Sequence, residues 1–299
     1  MNLDFIIIGG QKCGSSYLHD VIAQHPQIAM IAGECPHFES PDFEQGGEDK
    51  LVELLAKLDQ EKLKGIKRPN YLSRPEVPDR IKAANKNIKL IAILRKPLER
   101  LKSAYFHYMR YGFSPILSLN VGVEKLLKGE LTTKYPRTVE LLDFGHYCKY
   151  LENYMVLFNE SLLVLRYDDL VKDKTSIIRK CYSFLGVDKA FVPYKSLDKR
   201  PQKVTYSLLR TWLLNKKNIH QFEYNQDKTR FFVKEQSAWN KFVSNNIDLF
   251  DRTIMQKLIN NNEKPVFKNH IREQLMELYL PDIERLENLL EFDLSLWKK

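Results

Sequence analysis

The segment Gly9-Gly-Gln-Lys-Cys-Gly-Ser-Ser16 follows an apolar run and precedes an amphipathic stretch. Strand, glycine-rich loop and helix form a geometry that binds anions. The first N–H groups of a helix have no intrahelical acceptor, and the helix dipole favours negative charge there. Gly9 and Gly14 have the spacing of the two glycines of a nucleotide-binding P-loop, and Ser16 fits its last position. That loop requires lysine directly after the second glycine. Here Ser15 stands at that position, and the lysine is Lys12, inside the loop. A later apolar run ends in Arg95, where a Mg²⁺-binding aspartate would be expected. A cation at that strand end suggests that phosphate is bound directly, and no metal site is expected.

Three further groups carry chemistry. Glu34-Cys-Pro-His37 places a carboxylate and an imidazole three residues apart, and either could be a general base. Lys67-Arg-Pro-Asn-Tyr71 puts cations at another strand end. Arg95-Lys-Pro-Leu-Glu-Arg100 with Ser103 opens a helix. Arg95 and Ser103 lie more than two helical turns apart, so they converge only if the loop folds back. Each group also has a plainer reading: a solvated glutamate with a surface histidine, a basic turn, and Arg95 paired with Glu99. Their common position after strands favours a single crevice for an anionic ligand.

The elements that must position these residues are legible as apolar periodicity. Phe5–Ile8 reads as a buried strand, Ser15–Gln24 as a helix, and Ile28–Ile31 as a short strand. Gly65–Lys67, Lys89–Leu94 and Leu162–Leu165 read as further strands. Helices are expected over Pro97–Met109 and Thr175–Leu185, the second ended by Gly186. Strands alternating with helices predict an α/β fold with a parallel sheet. The last third predicts a helix near Val204–Leu214 and a helical pattern over Leu275–Leu290 interrupted at Pro281.

The 299 residues carry 47 Lys+Arg and 38 Asp+Glu, a net charge of +9, with 43% apolar residues. That composition suits a globular chain, and the charge favours anionic partners. No apolar run is long enough for a transmembrane helix, and the N-terminus lacks the basic region of a signal peptide. The cysteines Cys13, Cys35, Cys148 and Cys181 form no CxxC pair, which suits a reducing cytoplasm. No repeat or Gly/Ser linker divides the chain, so one domain over residues 1–299 is expected. Lys199 to Arg230 contains eight basic residues against two acidic ones.

These motifs resemble the sulfotransferases that use 3′-phosphoadenosine 5′-phosphosulfate (PAPS). Their phosphosulfate loop, G-x-x-K-x-G-[ST], is matched by Gly9, Lys12, Gly14 and Ser15. Their 3′-phosphate motif, L-R-x-P-x-E-R-x-x-S-x-Y, is matched by Leu94, Arg95, Pro97, Glu99, Arg100, Ser103 and Tyr105. Glu34-Cys-Pro-His-Phe38 and Lys67-Arg-Pro-Asn-Tyr71 resemble segments of the heparan-sulfate and bacterial carbohydrate branch. Val164–Leu170, Leu280–Leu286 and Leu294–Trp297 resemble later segments of bacterial members. The sequence departs from many members in Cys13, Ser15 and Arg68.

The resemblance implies a P-loop NTPase-like sulfotransferase fold with a central parallel sheet flanked by helices. It implies that Gly10, Gln11, Lys12, Cys13, Gly14, Ser15 and Ser16 hold the phosphosulfate, and that Arg95 and Ser103 hold the 3′-phosphate. Lys199 and Arg200 are the nearest basic candidates for the loop that covers the adenosine phosphate. Lys12 would stabilise the leaving phosphate, Glu34 would deprotonate the acceptor, and Lys67 would orient Glu34 or the sulfuryl group. His37 is the alternative base. PAPS would be released as adenosine 3′,5′-bisphosphate. The implied acceptor is a hydroxyl of a glycan or a small natural product, with an amine metabolite as an alternative; Tyr105, Tyr108, Tyr111 and Phe113 could line its pocket. Nucleic acid is not an expected partner. A P-loop kinase or NTPase and a non-catalytic polyanion-binding protein using the basic segment are the competing classes.

Overall fold

The computed structural model describes residues 1–194, 204–235, 237–259 and 264–299. Strands β1 (Phe5–Gly9), β2 (Ile28–Met30), β3 (Leu63–Lys67), β4 (Lys89–Leu94) and β5 (Leu162–Arg166) form one parallel sheet in the order β2-β3-β1-β4-β5. β1 is central and completely buried, which is why it reads Phe-Ile-Ile-Ile without polar alternation. The edge strand β5 is only partly buried. Helices flank the sheet, and the expected α/β class holds.

Helices α1 (Ser15–Ile22), α2 (Gly47–Ala56), α3 (Val77–Ala84) and α4 (Pro97–Arg110) fall within the first four strand connections or directly after β4. α1 ends two residues earlier than its apolar spacing predicts. α4 starts on Pro97, whose missing N–H costs nothing in a first turn. Helix Lys174–Leu185 is capped by the Asp173 side chain, which accepts from Ser176 N at 2.9 Å, and it ends on Gly186 at φ 82°. Both ends follow from residue chemistry.

Two expectations for the last third need correction. The helix expected near Val204–Leu214 runs instead from Leu208 to Gln221, because Ser207 caps it by accepting from Arg210 N. The helix Asn269–Leu290 continues through Pro281. A proline inside a helix costs about 3 kcal/mol. Here Ile271, Leu275, Tyr279, Ile283 and Leu286 bury one face, and each large apolar side chain contributes roughly 1.5–3 kcal/mol. Packing therefore outweighs the break. Asp282 adds a polar tie: its carboxylate accepts from Cys148 N at 3.0 Å and Lys149 N at 3.1 Å, at the start of helix Tyr147–Phe158.

A hairpin that sequence reading did not anticipate, β6 (Phe222–Tyr224) with β7 (Phe231–Val233), follows helix Leu208–Gln221. Three of the five described basic residues of the Lys199–Arg230 segment pair with carboxylates. Arg210 forms a buried two-point pair with Asp251, Lys217 pairs with Asp248, and Arg230 pairs with Asp42. Lys199 and Arg200 lie outside the described residues.

Candidate active site

A parallel sheet brings the C-terminal ends of all its strands to one edge. That edge carries a crevice of about 1710 Å³. Pockets for one small ligand span roughly 300–1,000 Å³, so the volume accommodates two molecules side by side.

The loop after β1 forms the middle of the crevice. Gly9 has φ 133°, and an added Cβ would lie 2.2 Å from the Pro69 carbonyl oxygen. Gly14 has φ 102° and starts α1. Both positions suit only glycine. Lys12 itself adopts φ 64°. Burial, helped by nearby Arg110 and Arg95 and opposed by Glu34, lowers the Lys12 pKa to about 8. No described carboxylate forms an ion pair with this ammonium group. A half-buried cation without its own anion is poised to gain from an anionic ligand.

Gln11, Lys12, Gly14, Ser15 and Ser16 all line the crevice, whereas Gly10 and Cys13 do not. Cys13 is fully buried beneath the loop beside the Tyr147 hydroxyl, and burial raises its pKa. Its side chain packs under the loop and does not face the crevice. The Gln11 side chain donates to Asn70 Oδ1 at 3.1 Å and to the Tyr108 hydroxyl at 3.2 Å. Its Oε1 is buried without a partner, leaving an acceptor unused at the crevice wall.

Arg95 and Ser103 both line the crevice. The Arg95 guanidinium lies 4.7 Å from the centre of the Tyr167 ring and 3.6 Å from Glu99. The plainer Arg95–Glu99 pairing is therefore also present. Tyr147 supports this strand end by donating to the Arg95 carbonyl at 2.8 Å. Trp297 Nε1 donates to Asp168 at 2.9 Å, fixing a second carboxylate of the wall.

Lys67 Nζ donates to Ser16 Oγ at 3.1 Å and lies 3.9 Å from Glu34. It thereby links the β1 loop to the expected base. Glu34 also pairs with Arg68 at 2.8 Å. His37 is half-buried, its pKa is lowered by burial, and it does not line the crevice. Tyr108, Tyr111 and Phe113 line the crevice, but Tyr105 is buried away from it and donates to the Leu117 carbonyl.

Several wall residues were missed by sequence reading. Arg68 forks onto Glu39, with both bonds at 2.7 Å. Glu140 accepts from Arg74, Arg137 and Tyr108 together. His107 faces the crevice, and burial beside Lys12, Arg137 and Arg110 holds its pKa far below the ordinary value. Only the i,i+3 spacing of Arg137 and Glu140 offered any local signal; the other pairings depend on the fold. Phe231 and Phe232 of the hairpin complete the lining.

The two ends of the crevice differ in charge. Among the described lining residues, the β4–β5 end and the central loop hold Lys12, Arg95, Lys96, Lys174 and Lys264 against Glu99 and Asp168. The β2–β3 end holds Lys67, Arg68, Arg74, Arg137 and Arg230 against Glu34, Glu39, Asp42, Glu76 and Glu140. The first end can stabilise a multiply charged anion, and the second is internally compensated.

Comparison with known proteins agrees with this geometry. The sulfotransferase domain family model matches residues 2–262. Over 195 residues the chain is 27% identical to human heparan sulfate glucosamine 3-O-sulfotransferase 3B1, covering 62% of this chain and 46% of that protein. Over 104 residues it is 35% identical to membrane-associated sulfotransferase kil1 of Dictyostelium discoideum, covering 34% of this chain and 22% of that protein. The matched part is thus less than half the length of either relative. A crystal structure of a sulfotransferase from Alicyclobacillus acidocaldarius superposes with a TM-score of 0.69 at 22% identity, with complete coverage of both chains. That likeness shows the fold. From the match across most of its length, the chain belongs to the sulfotransferase domain family.

Proposed function

We propose that this chain transfers a sulfuryl group from PAPS to a hydroxyl of a carbohydrate or small natural product. The observation that carries the reading is Lys12, a half-buried cation with no carboxylate ion pair among the described residues, on a glycine loop in the middle of a crevice large enough for two molecules. The unused Gln11 Oε1 at the same wall is a second fit, because an adenosine ligand offers N–H and O–H donors.

PAPS, when bound, supplies an activated sulfuryl group and is released as adenosine 3′,5′-bisphosphate. In this reading Lys12, Ser15, Ser16 and the first N–H groups of α1 bind the 5′ end and counter negative charge there. Arg95 and Ser103 bind the 3′-phosphate, where a charge-assisted contact selects it over a plain nucleotide. Glu34 takes the acceptor proton, and Lys67 holds Glu34 and Ser16 in fixed relation. The work is positioning and charge stabilisation. His107 provides a second reading of the base. It is favoured by its place in the crevice and by a depressed pKa that keeps its imidazole neutral.

A P-loop kinase is disfavoured because Ser15 stands where its lysine is needed. A polyanion-binding role for the basic segment is disfavoured by its pairing with Asp42, Asp248 and Asp251. The four cysteines are all buried free thiols, which supports a reducing cytoplasm as the compartment. The test is transfer from radiolabelled PAPS to an acceptor panel by wild type, Lys12→Ala and Glu34→Gln. Loss in both variants supports the assignment; full activity in Glu34→Gln moves the base to His107.

A further inference from the structure

Arg68 stands directly after β3, and its backbone N–H donates to the Ile7 carbonyl of β1 at 3.0 Å. The chemistry proposed above gives this arginine no role, yet its guanidinium is held by two different carboxylates. Nε and Nη2 each donate to one oxygen of Glu39 at 2.7 Å, and Nη1 donates to Glu34 at 2.8 Å. The two carboxylates differ in setting. Glu39 is 3% exposed, whereas the Glu34 side chain is 44% exposed. A two-point bond on buried Glu39 fixes the plane of the guanidinium, and the rigid fork then aims Nη1 in one direction.

The backbone beside Glu34 is pinned without Arg68. Cys35 N donates to the Lys67 carbonyl at 3.1 Å. The Tyr71 hydroxyl donates to the Cys35 carbonyl and accepts from Phe38 N at 3.0 Å. These bonds leave the long Glu34 side chain free to rotate, and ordering it costs conformational entropy. Lys67 Nζ supplies charge at 3.9 Å, beyond hydrogen-bond reach. Arg68 makes the one hydrogen bond to this carboxylate among the described residues. A general base must sit within hydrogen-bond reach of the proton it removes, and a misplacement of about 1 Å can cost roughly 10²-fold in rate. Each carboxylate oxygen carries two lone pairs, so the Arg68 bond leaves sites on Glu34 for an acceptor proton.

We infer that Arg68 is a positioning residue: forked onto buried Glu39, it orients the Glu34 carboxylate for proton removal. The inference rests on the sulfuryl-transfer reading with Glu34 as the base, and it extends that reading to the pair Arg68–Glu39. Arg68 acts through Glu34, and Glu39 acts through Arg68. The geometry of the fork matters here more than its charge. A lysine at this position keeps the charge, but a single ammonium group cannot hold both carboxylates in the forked arrangement.

The test is steady-state kinetics on the full chain with radiolabelled PAPS. The acceptor is whichever of heparosan hexasaccharide, 4-nitrophenol and 2-naphthylamine wild type sulfates fastest. Arg68→Lys and Arg68→Ser should each lower kcat by about tenfold or more. The KM for PAPS and the bisphosphate affinity should stay within about twofold, since neither variant touches the β1 loop. The deciding measurement is a double-mutant cycle with Glu34→Gln. Once the base is gone its orientation no longer matters, so Arg68→Lys should change the residual kcat of Glu34→Gln by less than about twofold. An arginine that only supports the fold would give the same loss in both backgrounds. Arg68→Lys keeps a cation beside Glu39 and carries the cycle should Arg68→Ser fail to fold. Equal losses in the two backgrounds, unchanged kcat in Arg68→Lys, or a loss confined to the KM for PAPS would overturn the inference. Full activity in Glu34→Gln alone would also overturn it while leaving sulfuryl transfer in place. If wild type sulfates none of the three probes, the sulfuryl-transfer reading itself falls, and this inference with it.

Discussion

The β4–β5 end and the β2–β3 end of the crevice use the same residue types to opposite effect. Beside the first, on the central β1 loop, Lys12 is half-buried without a carboxylate ion pair, and its pKa falls to about 8. At the second, every arginine of the lining is matched by a glutamate or aspartate. The difference shows that the net charge of +9 is not itself a ligand signal. A cation matters for binding when the fold leaves its charge uncompensated, and that depends on pairing across distant segments.

The strongest test of this contrast is Lys12→Ala. It should lower kcat/KM for transfer by about 10²–10³, the loss seen when one preorganised charge-stabilising donor is removed. Steady-state kinetics with radiolabelled PAPS would measure it. Glu34→Gln should lower kcat by about 10²-fold or more, as expected for loss of a general base, while bisphosphate affinity stays within twofold. A parallel loss in affinity would show that the two ends are not separable. Arg95→Ala should weaken the bisphosphate by about tenfold and leave AMP almost unaffected, because a charge-assisted bond contributes roughly 1.5–3 kcal/mol.

A pH titration sharpens the same point. Anion binding favours the protonated lysine, so bisphosphate affinity should fall as pH rises through about 8, the Lys12 value in the free protein. Lys12→Met should remove that step. The smallest effect should come from outside the crevice. Asp282→Ala removes the acceptor for Cys148 N and Lys149 N and should destabilise the fold by about 1–2 kcal/mol, read by urea unfolding. Bisphosphate affinity should be unchanged.

Much of the positive end was legible in the sequence, because its parts are local. The glycines at 9 and 14 report backbone conformations that only glycine adopts readily, and Lys12, Ser15 and Ser16 sit between a strand and a helix whose signals are plain. Lys89–Leu94 and Pro97–Arg110 also follow from apolar run and first-turn proline, which puts Arg95 and Ser103 on one element pair. The compensated end was not legible. Arg68 meets Glu39 across 29 residues, Arg74 meets Glu140 across 66, and Arg230 meets Asp42 across 188. No periodicity encodes such pairings. The continuous helix through Pro281 is the same lesson in packing: the local break is real, and long-range burial outweighs it. Cys13 shows the converse, since a loop position adjacent to the ligand wall can point its side chain into the core.

The most direct test of the central claim is calorimetric titration of the ligand-free chain with adenosine 3′,5′-bisphosphate and with AMP, in wild type and Lys12→Ala. The account predicts at least tenfold tighter binding of the bisphosphate to wild type, and weakening of both nucleotides in Lys12→Ala. Equal affinities for the two nucleotides, or no change on removing the Lys12 ammonium, would contradict it.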